Sequence, residues 1–219
     1  MRLNRYIASH STLSRRKADE LIAAGKVKVN RTTAHLGTEV QEGDTVIVDG
    51  QRLEPTKKAS IVVLLHKPAG YVCSKDGQGA PTVYDLISPN LHYLNIAGRL
   101  DKDSSGLVIF TNDGTLLQAL THPSNDKEKI YHVVLAKQLE DGAIASFASG
   151  VNIGDERTSK MSVVPLNNKN TYEVSIHEGR NRQIRRSFEA LGYKVEQLHR
   201  IKLGQYEIGR LAPKQYQIV

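Results

Sequence analysis

From Leu94 to Gly114 the sequence sets a short polar loop between two apolar runs, and this restricts the fold more than any other stretch. Leu94, Ile96 and Ala97 lead in, and Gly98 and Gly106 bound the loop. Leu107-Val108-Ile109-Phe110-Thr111 then reads as a buried strand that ends at the turn signal Asn112-Asp113-Gly114. The acid in that loop, Asp101, is therefore carried between rigid elements, where catalytic side chains concentrate. The plainer alternative is an aspartate that caps a turn. Spacing alone leaves both open.

The 219 residues suffice for two modest domains with a real core. Tryptophan is absent, so that core is aliphatic. Thirty Lys and Arg against 23 acids give a net charge of +7, a surplus that points to a polyanion, with nucleic acid first and an anionic membrane second. No apolar run approaches the roughly 20 residues that span a bilayer, which weakens the membrane reading. The lone cysteine, Cys73, excludes a disulfide framework, and no basic-then-apolar leader opens the sequence, so a reducing cytoplasm is expected. The eight histidines include no i, i+4 pair and have no partner cysteines, so neither a metal site nor zinc deaminase chemistry is expected. Gly77-Gln78-Gly79 runs into Pro81 rather than into a helix, and no phosphate-binding loop occurs. No cofactor is expected.

Residues 1 to 58 read as a separate small module. Leu3, Tyr6 and Ile7 recur at helical spacing. Ser14 is an N-cap for a second helix that turns Ala18, Leu21 and Ile22 inward and ends at Gly25. Lys26 to Asn30 and Thr45 to Val48 read as strands. Residues 1 to 31 hold eight Lys or Arg against Asp19 and Glu20. Arg15, Arg16 and Lys17 fall in a helix's first turn, where the macrodipole disfavours cations by roughly 0.3 to 1 kcal/mol each. Phosphate binding is one reason to place them there; a solvated charged face is the other. A linker over Leu53 to Ser60, with Pro55, Lys57 and Lys58, leads to a second domain over 59 to 219.

In that domain Ile61 to Leu65 reads as a buried strand, Thr115 to His122 as a helix stopped by Pro123, and Ile130 to Leu135 as a strand. Residues 139 to 150 read as a surface helix, and Met161 to Pro165 pairs with Thr171 to His177. From Gly179 the chain enters a helix in which Ile184, Phe188 and Leu191 form an apolar stripe. Arg182, Arg185 and Arg186 share the adjacent face, free to hold anions.

Three motifs carry a resemblance. Gly98-Arg99-Leu100-Asp101, Ser104-Ser105-Gly106-Leu107 and Thr111-Asn112-Asp113-Gly114 are similar to the catalytic motif of the bacterial ribosomal pseudouridine synthases. Lys129-Ile130-Tyr131 resembles their Lys-x-Tyr, and Gly179 to Arg186 their Gly-x-Asn-Arg-Gln-Ile-Arg-Arg. His66-Lys67-Pro68-Ala69-Gly70 is close to their Lys-Pro-x-Gly. The first module resembles the alpha-L RNA-binding domain, with two departures: Ser11 replaces a usual Gly, and Arg31 follows Asn30 where Asn-Gly is usual, so a longer or rearranged hairpin is expected there.

What the resemblance implies is an α+β fold: a small N-terminal RNA-binding domain, then a catalytic domain built on a mixed, mainly antiparallel sheet with helices packed outside. It further implies that Asp101 is the catalytic carboxylate, that Arg185 pairs with it, and that Tyr131 lies against a flipped base. Arg15, Arg16, Lys17, Arg99, Lys129, Arg180, Arg182 and Arg186 are then available to RNA. By residue chemistry alone, Tyr131 on a half-buried strand reads equally as core packing. The implied reaction is isomerisation of uridine to pseudouridine in ribosomal RNA or an assembly intermediate, by a monomer. Details of the three motifs lean toward large-subunit RNA. Two rivals remain: a glycosidase-type hydrolase using Asp101 and Asp103 as paired carboxylates, and a non-catalytic RNA-binding or ribosome-assembly factor.

Overall fold

The computed structural model describes residues 1–54, 59–140, 142–155 and 158–219. Its contacts divide the chain into two compact units, Met1–Ser60 and Ile61–Val219. Half of the linker read over Leu53 to Ser60, residues 55–58, lies outside the described residues.

The first unit holds α1 (Leu3–His10), α2 (Arg15–Ala23), β1 (Val27–Val29), β2 (Thr32–Thr33), β3 (Val46–Val48) and β4 (Gln51–Arg52). The strands form an antiparallel sheet in the order β2-β1-β3-β4. Leu3 and Ile7 of α1 and Ala18 and Ile22 of α2 close on Val27, Val46 and Val48, so the helical spacing read from the sequence is the spacing of this core. Ser14 caps α2 by accepting from the Lys17 amide at 3.1 Å. Gly25 leaves the helix at φ +70°. Ser11 is extended, at φ −136°, and needs no glycine; its hydroxyl donates to Ile7 O at 2.7 Å.

The expected longer hairpin is not found. Val29 pairs with Thr32, leaving a two-residue turn in which Asn30 and Arg31 both take positive φ, +49° and +71°. That is the geometry a tight hairpin demands and which usually recruits Asn-Gly. Here Arg31 accepts the strained second position, anchored by Asn30, whose side chain donates to Asp44 at 2.6 Å and accepts from Thr45 N at 3.0 Å.

The second unit begins with β5 (Val62–Lys67), β6 (Asn95–Ala97) and β7 (Ser105–Thr111), followed by α3 (Gly114–Thr121) and β8 (Lys129–Leu135). It continues with α4 (Ala143–Ser149), β9 (Ser162–Pro165), β10 (Thr171–Ile176), α5 (Gln183–Ala190), β11 (Val195–Leu203), β12 (Tyr206–Glu207) and β13 (Tyr216–Ile218). Among the described residues these strands form one nine-stranded sheet, in the order β13-β5-β7-β11-β8-β10-β9, with β6 beside β7 and β12 beside β11. The β7–β11 pair is parallel and the others are antiparallel, so the α+β, mainly antiparallel reading describes the fold.

Alternation assigns the two faces. Val63, Leu65, Val108, Phe110 and Val133 point to a core closed by Phe147 of α4 and by Ile184 and Phe188 of α5. Val62, Leu64, Leu107 and Ile109 point the other way, onto Leu120 of α3. Phe147 and Phe188 meet at 4.5 Å between ring centroids. Truncating a fully buried phenylalanine of this kind to alanine costs about 3 to 5 kcal/mol.

The turn signal Asn112-Asp113-Gly114 leads straight into the expected helix, because the Asp113 carboxylate accepts from the amides of Thr115 at 2.7 Å and Leu116 at 3.2 Å and so caps α3. The C-terminal stretch, unread as structure in the sequence, supplies β11, which sits between β7 and β8 near the middle of the sheet. Among the described residues no helix is long and apolar enough to cross a membrane.

Candidate active site

The loop between β6 and β7 carries Asp101 and is held from beneath. Lys67, which follows His66 at the end of β5, is fully buried, and its ammonium donates to Ser104 O at 2.5 Å, Pro68 O at 3.1 Å and Lys102 O at 3.4 Å. Burial pulls its pKa below the usual lysine value, against the opposing charges of Asp103 and Asp101. Arg200 of β11, 1% exposed, bonds Leu107 O and Gly98 O at the two ends of the loop. The turn after Lys67 adds a bond from Gly70 N to Lys102 O at 2.7 Å. Gly106 is obligatory, since at φ +111° any Cβ would sit inside the Arg200 backbone.

On the open side two carboxylates face arginines delivered by the entry to α5. Arg182 occupies the N-cap position in the left-handed region, at φ +46°. It makes three contacts of 3.2 to 3.3 Å with the Asp103 carboxylate and reaches Asp101 Oδ2 at 3.6 Å. The side chain of Asp101 is 36% exposed. Burial pushes the Asp103 carboxyl up, but the Arg182 bond and the Arg185 and Arg182 charges outweigh it and hold it below the usual carboxylate range.

The expected pairing of Arg185 with Asp101 is not what the structure contains. Arg185 reaches Asp103 instead, with Nε 3.4 Å from its carboxylate and Nη2 3.2 Å from its carbonyl, while Nη1 donates to Val195 O at 2.9 Å. The second carboxylate, two residues along, lies closer to that guanidinium, and the acid's backbone is part of the grip. Nor do Arg182, Arg185 and Arg186 share a free face. The helix starts at Gln183, so Arg182 precedes it, and Arg185 is buried alongside Ile184 and Phe188.

The remaining residues singled out in the sequence scatter. Tyr131 is 6% exposed within the apolar core. The register nevertheless sets it opposite Arg200, and Arg200 opposite Gly106, in one row across β8, β11 and β7. Arg99 is exposed beside Asp101 in sequence. Lys129 turns to the backbone oxygens of Lys127, His177 and Glu178, at 3.2 to 3.4 Å, and burial together with the Arg200 charge lowers its pKa.

Arg180 bonds Glu178 at 2.6 Å and Asp155 at 3.2 Å, and Arg186 bonds Asp155 at 2.7 Å. In the first unit Arg15 and Arg16 are exposed, and Lys17 pairs with Glu20 at 2.8 Å. Sequence reasoning gave no role to Lys67, which it met only inside the Lys-Pro-x-Gly resemblance, nor to Arg200 and Asp155. For Lys67 the signal was present, since a lysine just past an apolar run must be exposed, or buried and bonded.

Chemically, the site presents a half-exposed carboxylate on a loop fixed at both ends, with a guanidinium in reach and several further cations nearby. Among the described residues no group of three His, Cys, Asp or Glu is placed to hold a metal ion.

Comparison with known proteins gives a consistent result. The pattern described as RNA pseudouridylate synthase matches residues 61–190, and the S4 domain pattern matches residues 1–46. The chain is 36% identical over 220 residues to the ribosomal small subunit pseudouridine synthase A of Pasteurella multocida (strain Pm70), covering 99% of this chain and 94% of that protein. It is 36% identical over 207 residues to the dual-specificity RNA pseudouridine synthase RluF of Escherichia coli (strain K12), covering 93% and 70%. A solved structure entitled "Crystal structure of pseudouridylate synthase" superposes with a TM-score of 0.72 at 32% identity, over 100% of this chain and 96% of that one. With the family pattern spanning more than half the chain and the Asp101 loop inside it, this chain belongs to the RNA pseudouridylate synthase family and carries an S4 domain ahead of its catalytic unit.

Proposed function

We propose that this protein converts uridine to pseudouridine in ribosomal RNA, with Asp101 as the carboxylate that does the chemistry. The reaction breaks the bond between uracil N1 and ribose C1′ and forms one between C5 and C1′; the hydrogen on C5 leaves as a proton and N1 gains one. The observation that carries the reading is the placement of Asp101: a half-exposed carboxylate on a loop clamped at both ends, within 3.6 Å of a guanidinium. A positioned carboxylate can act by attack on the ribose or by removing a sugar proton after glycosidic cleavage. Tyr131 serves as the ring beside a flipped uracil. Arg99 and the first unit's Arg15, Arg16 and Lys17 serve the phosphates, and the large-subunit RNA is the first substrate to try.

The two-carboxylate hydrolase reading needs one acid kept protonated and one ionised. Asp103 is held below the usual carboxylate range by Arg182 and Arg185, the opposite of what a general acid requires. Release of tritium from ribosomal RNA labelled at uracil C5 tests the proposal directly. Isomerisation releases it, hydrolysis liberates free uracil, and a pure binder does neither. Asp101→Asn, which keeps shape and removes charge, is expected to abolish release while RNA binding persists. Turnover in that variant removes Asp101 from the mechanism.

A further inference from the structure

We propose that Arg200 is a positioning residue for this reaction, acting on the Asp101 loop from the core side; the inference rests on Asp101 being the reacting carboxylate. Arg200 is 1% exposed, and among the described residues no carboxylate lies within ion-pair distance of it. A charge buried without an opposite charge is costly, and is kept only where its hydrogen bonds do something a neutral group cannot.

Those bonds have a specific distribution. Nε and Nη2 donate to Leu107 O at 2.9 and 2.7 Å, and Nη2 also donates to Gly98 O at 2.5 Å. The two oxygens stand at opposite ends of the loop, one before Arg99 and one after Gly106. A single planar fork therefore fixes the span from which Asp101 projects. Lysine carries the same charge but no fork, and cannot fix two acceptors at set angles.

The sequence around the grip is shaped to admit it. Gly98 takes φ +76°, and a Cβ there would stand 2.8 Å from Leu203 Cδ2 and 3.6 to 3.7 Å from the Arg200 guanidinium nitrogens. Gly106 lies against the Arg200 backbone and cannot carry a side chain. Gly106 thus makes room for the Arg200 backbone, 94 positions away in sequence, whereas at Gly98 the crowding comes from Leu203 and the strain of a side chain from the positive φ. Arg200 also sits opposite Tyr131 in the β8–β11 register, so the loop and the proposed base-stacking ring share one anchor.

A displacement of the reacting group by about 1 Å costs on the order of 10²-fold in rate. Arg200→Lys is accordingly expected to fold, to bind ribosomal RNA within about threefold of the native Kd, and to lose about 10²-fold in kcat. Hydrogen exchange at the amides of Leu100 to Ser104 is expected to accelerate. Gly98→Ala, with Arg200 intact, strains the same grip from the loop side, and its only close contact is the flexible end of Leu203; it is expected to show the same split between kcat and RNA affinity. If Arg200→Lys yields no folded protein, Gly98→Ala decides. Native kcat in the folded variants overturns the inference, and so does a fall in kcat that tracks RNA affinity or leaves the loop amides unchanged. Asp101→Asn is run beside them. Turnover there breaks the Asp101 reading, whereas an inactive Asp101→Asn beside a fully active Arg200→Lys breaks only this one.

Discussion

In the first unit Arg15 and Arg16 stand exposed at the start of α2, with no ion-pair partner among the described residues; in the second, Arg180, Arg182, Arg185 and Arg186 are each joined to a carboxylate. Both stretches break the same local rule, cations at a helix N-terminus, yet the structure answers it differently. In α2 the end is capped by Ser14, and the two arginines are left to solvent. At α5 the arginines bend back onto Asp103 and Asp155, which come from other parts of the chain. A solvent-facing cation offers its whole charge to a phosphate. A paired one must first exchange partners, and what it contributes meanwhile is geometry. On the proposed reading, positive charge near a helix start would serve RNA contact in one unit and the architecture of the reaction site in the other.

The strongest way to break this contrast is to remove the architecture. Arg185 is 10% exposed and ties Asp103 to the end of β11 through Val195 O. Arg185→Lys keeps charge but loses the fork, and a drop of about 10²-fold in kcat at nearly native RNA affinity is expected. Asp103→Asn, which weakens the same contacts but leaves the Asp101 side chain in place, should fall well short of that loss. Steady-state kinetics with filter-binding affinities separate the two quantities. A change in affinity without a change in kcat would place Arg185 among the phosphate contacts instead.

Next in size is the first unit. If Arg15 and Arg16 each neutralise a phosphate, replacing both by alanine should weaken binding and reduce the slope of log K against log salt by about 1.4 to 1.8. Turnover at saturating RNA should be unchanged. Arg186→Ala should leave the slope alone, because that guanidinium already holds Asp155. Asp155→Asn sharpens the comparison. It removes the carboxylate that Arg186 and Arg180 share, leaving Arg186 on the Ile153 and Asn181 carbonyls and Arg180 on Glu178, and the slope should steepen by up to about 0.7 to 0.9 for each arginine that then finds a phosphate. Binding titrations at four or five salt concentrations decide between these outcomes, and equal slopes in all variants would dissolve the distinction between the units.

How far the sequence reaches can be read from the same residues. An unbroken apolar run sufficed for β5 and β7, which bury both faces, and period-two or helical spacing for β8, β10 and both N-terminal helices, which bury one. β11 was missed because its pairing with β8 shifts register between Val195 and Gln197 and between Arg200 and Lys202, which interrupts the alternation, and because it buries Arg200 where an apolar residue is expected. The arginine partners were illegible for another reason. Asp103 and Arg182 are 79 positions apart, and two neighbouring carboxylates compete for guanidinium groups on the basis of angles that only packing sets. The motif could name Asp101 and Arg185 as a pair, but not that Asp103 stands in the way. Arg31 is the converse case, a residue whose unsuitability for its turn was legible while the turn's tightness was not.

The smallest expected effect is in acid, and it distinguishes Asp155 of the second unit from Asp44 of the first by the kind of partner each carboxylate has. Arg186's hydrogen bond is the main cause that lowers the Asp155 carboxyl, helped by the Arg186 and Arg180 charges against some burial. The Asp44 carboxyl of the first unit is lowered as well, but by neutral donors, the Gln41 amide at 2.7 Å and the Asn30 side chain at 2.6 Å. A carboxyl whose folded pKa lies below its unfolded value stabilises the fold above the ordinary carboxylate range. That contribution is lost as pH falls through the folded value, because the unfolded chain takes up the proton first. Both acids should therefore steepen the loss of thermal stability below about pH 4, and Asp155→Asn and Asp44→Asn should each flatten it. Salt separates them. Raising ionic strength from about 0.01 to 1 M shortens the screening length from roughly 30 to 3 Å, which weakens a link between full charges far more than one between a carboxylate and a neutral amide. The part of the acid limb removed by Asp155→Asn should shrink with added salt, and the part removed by Asp44→Asn should persist. Unfolding midpoints between pH 5 and 2.5 at the two salt levels test this, and a salt-sensitive Asp44 contribution would mean that the first unit's charges are coupled to that carboxylate after all.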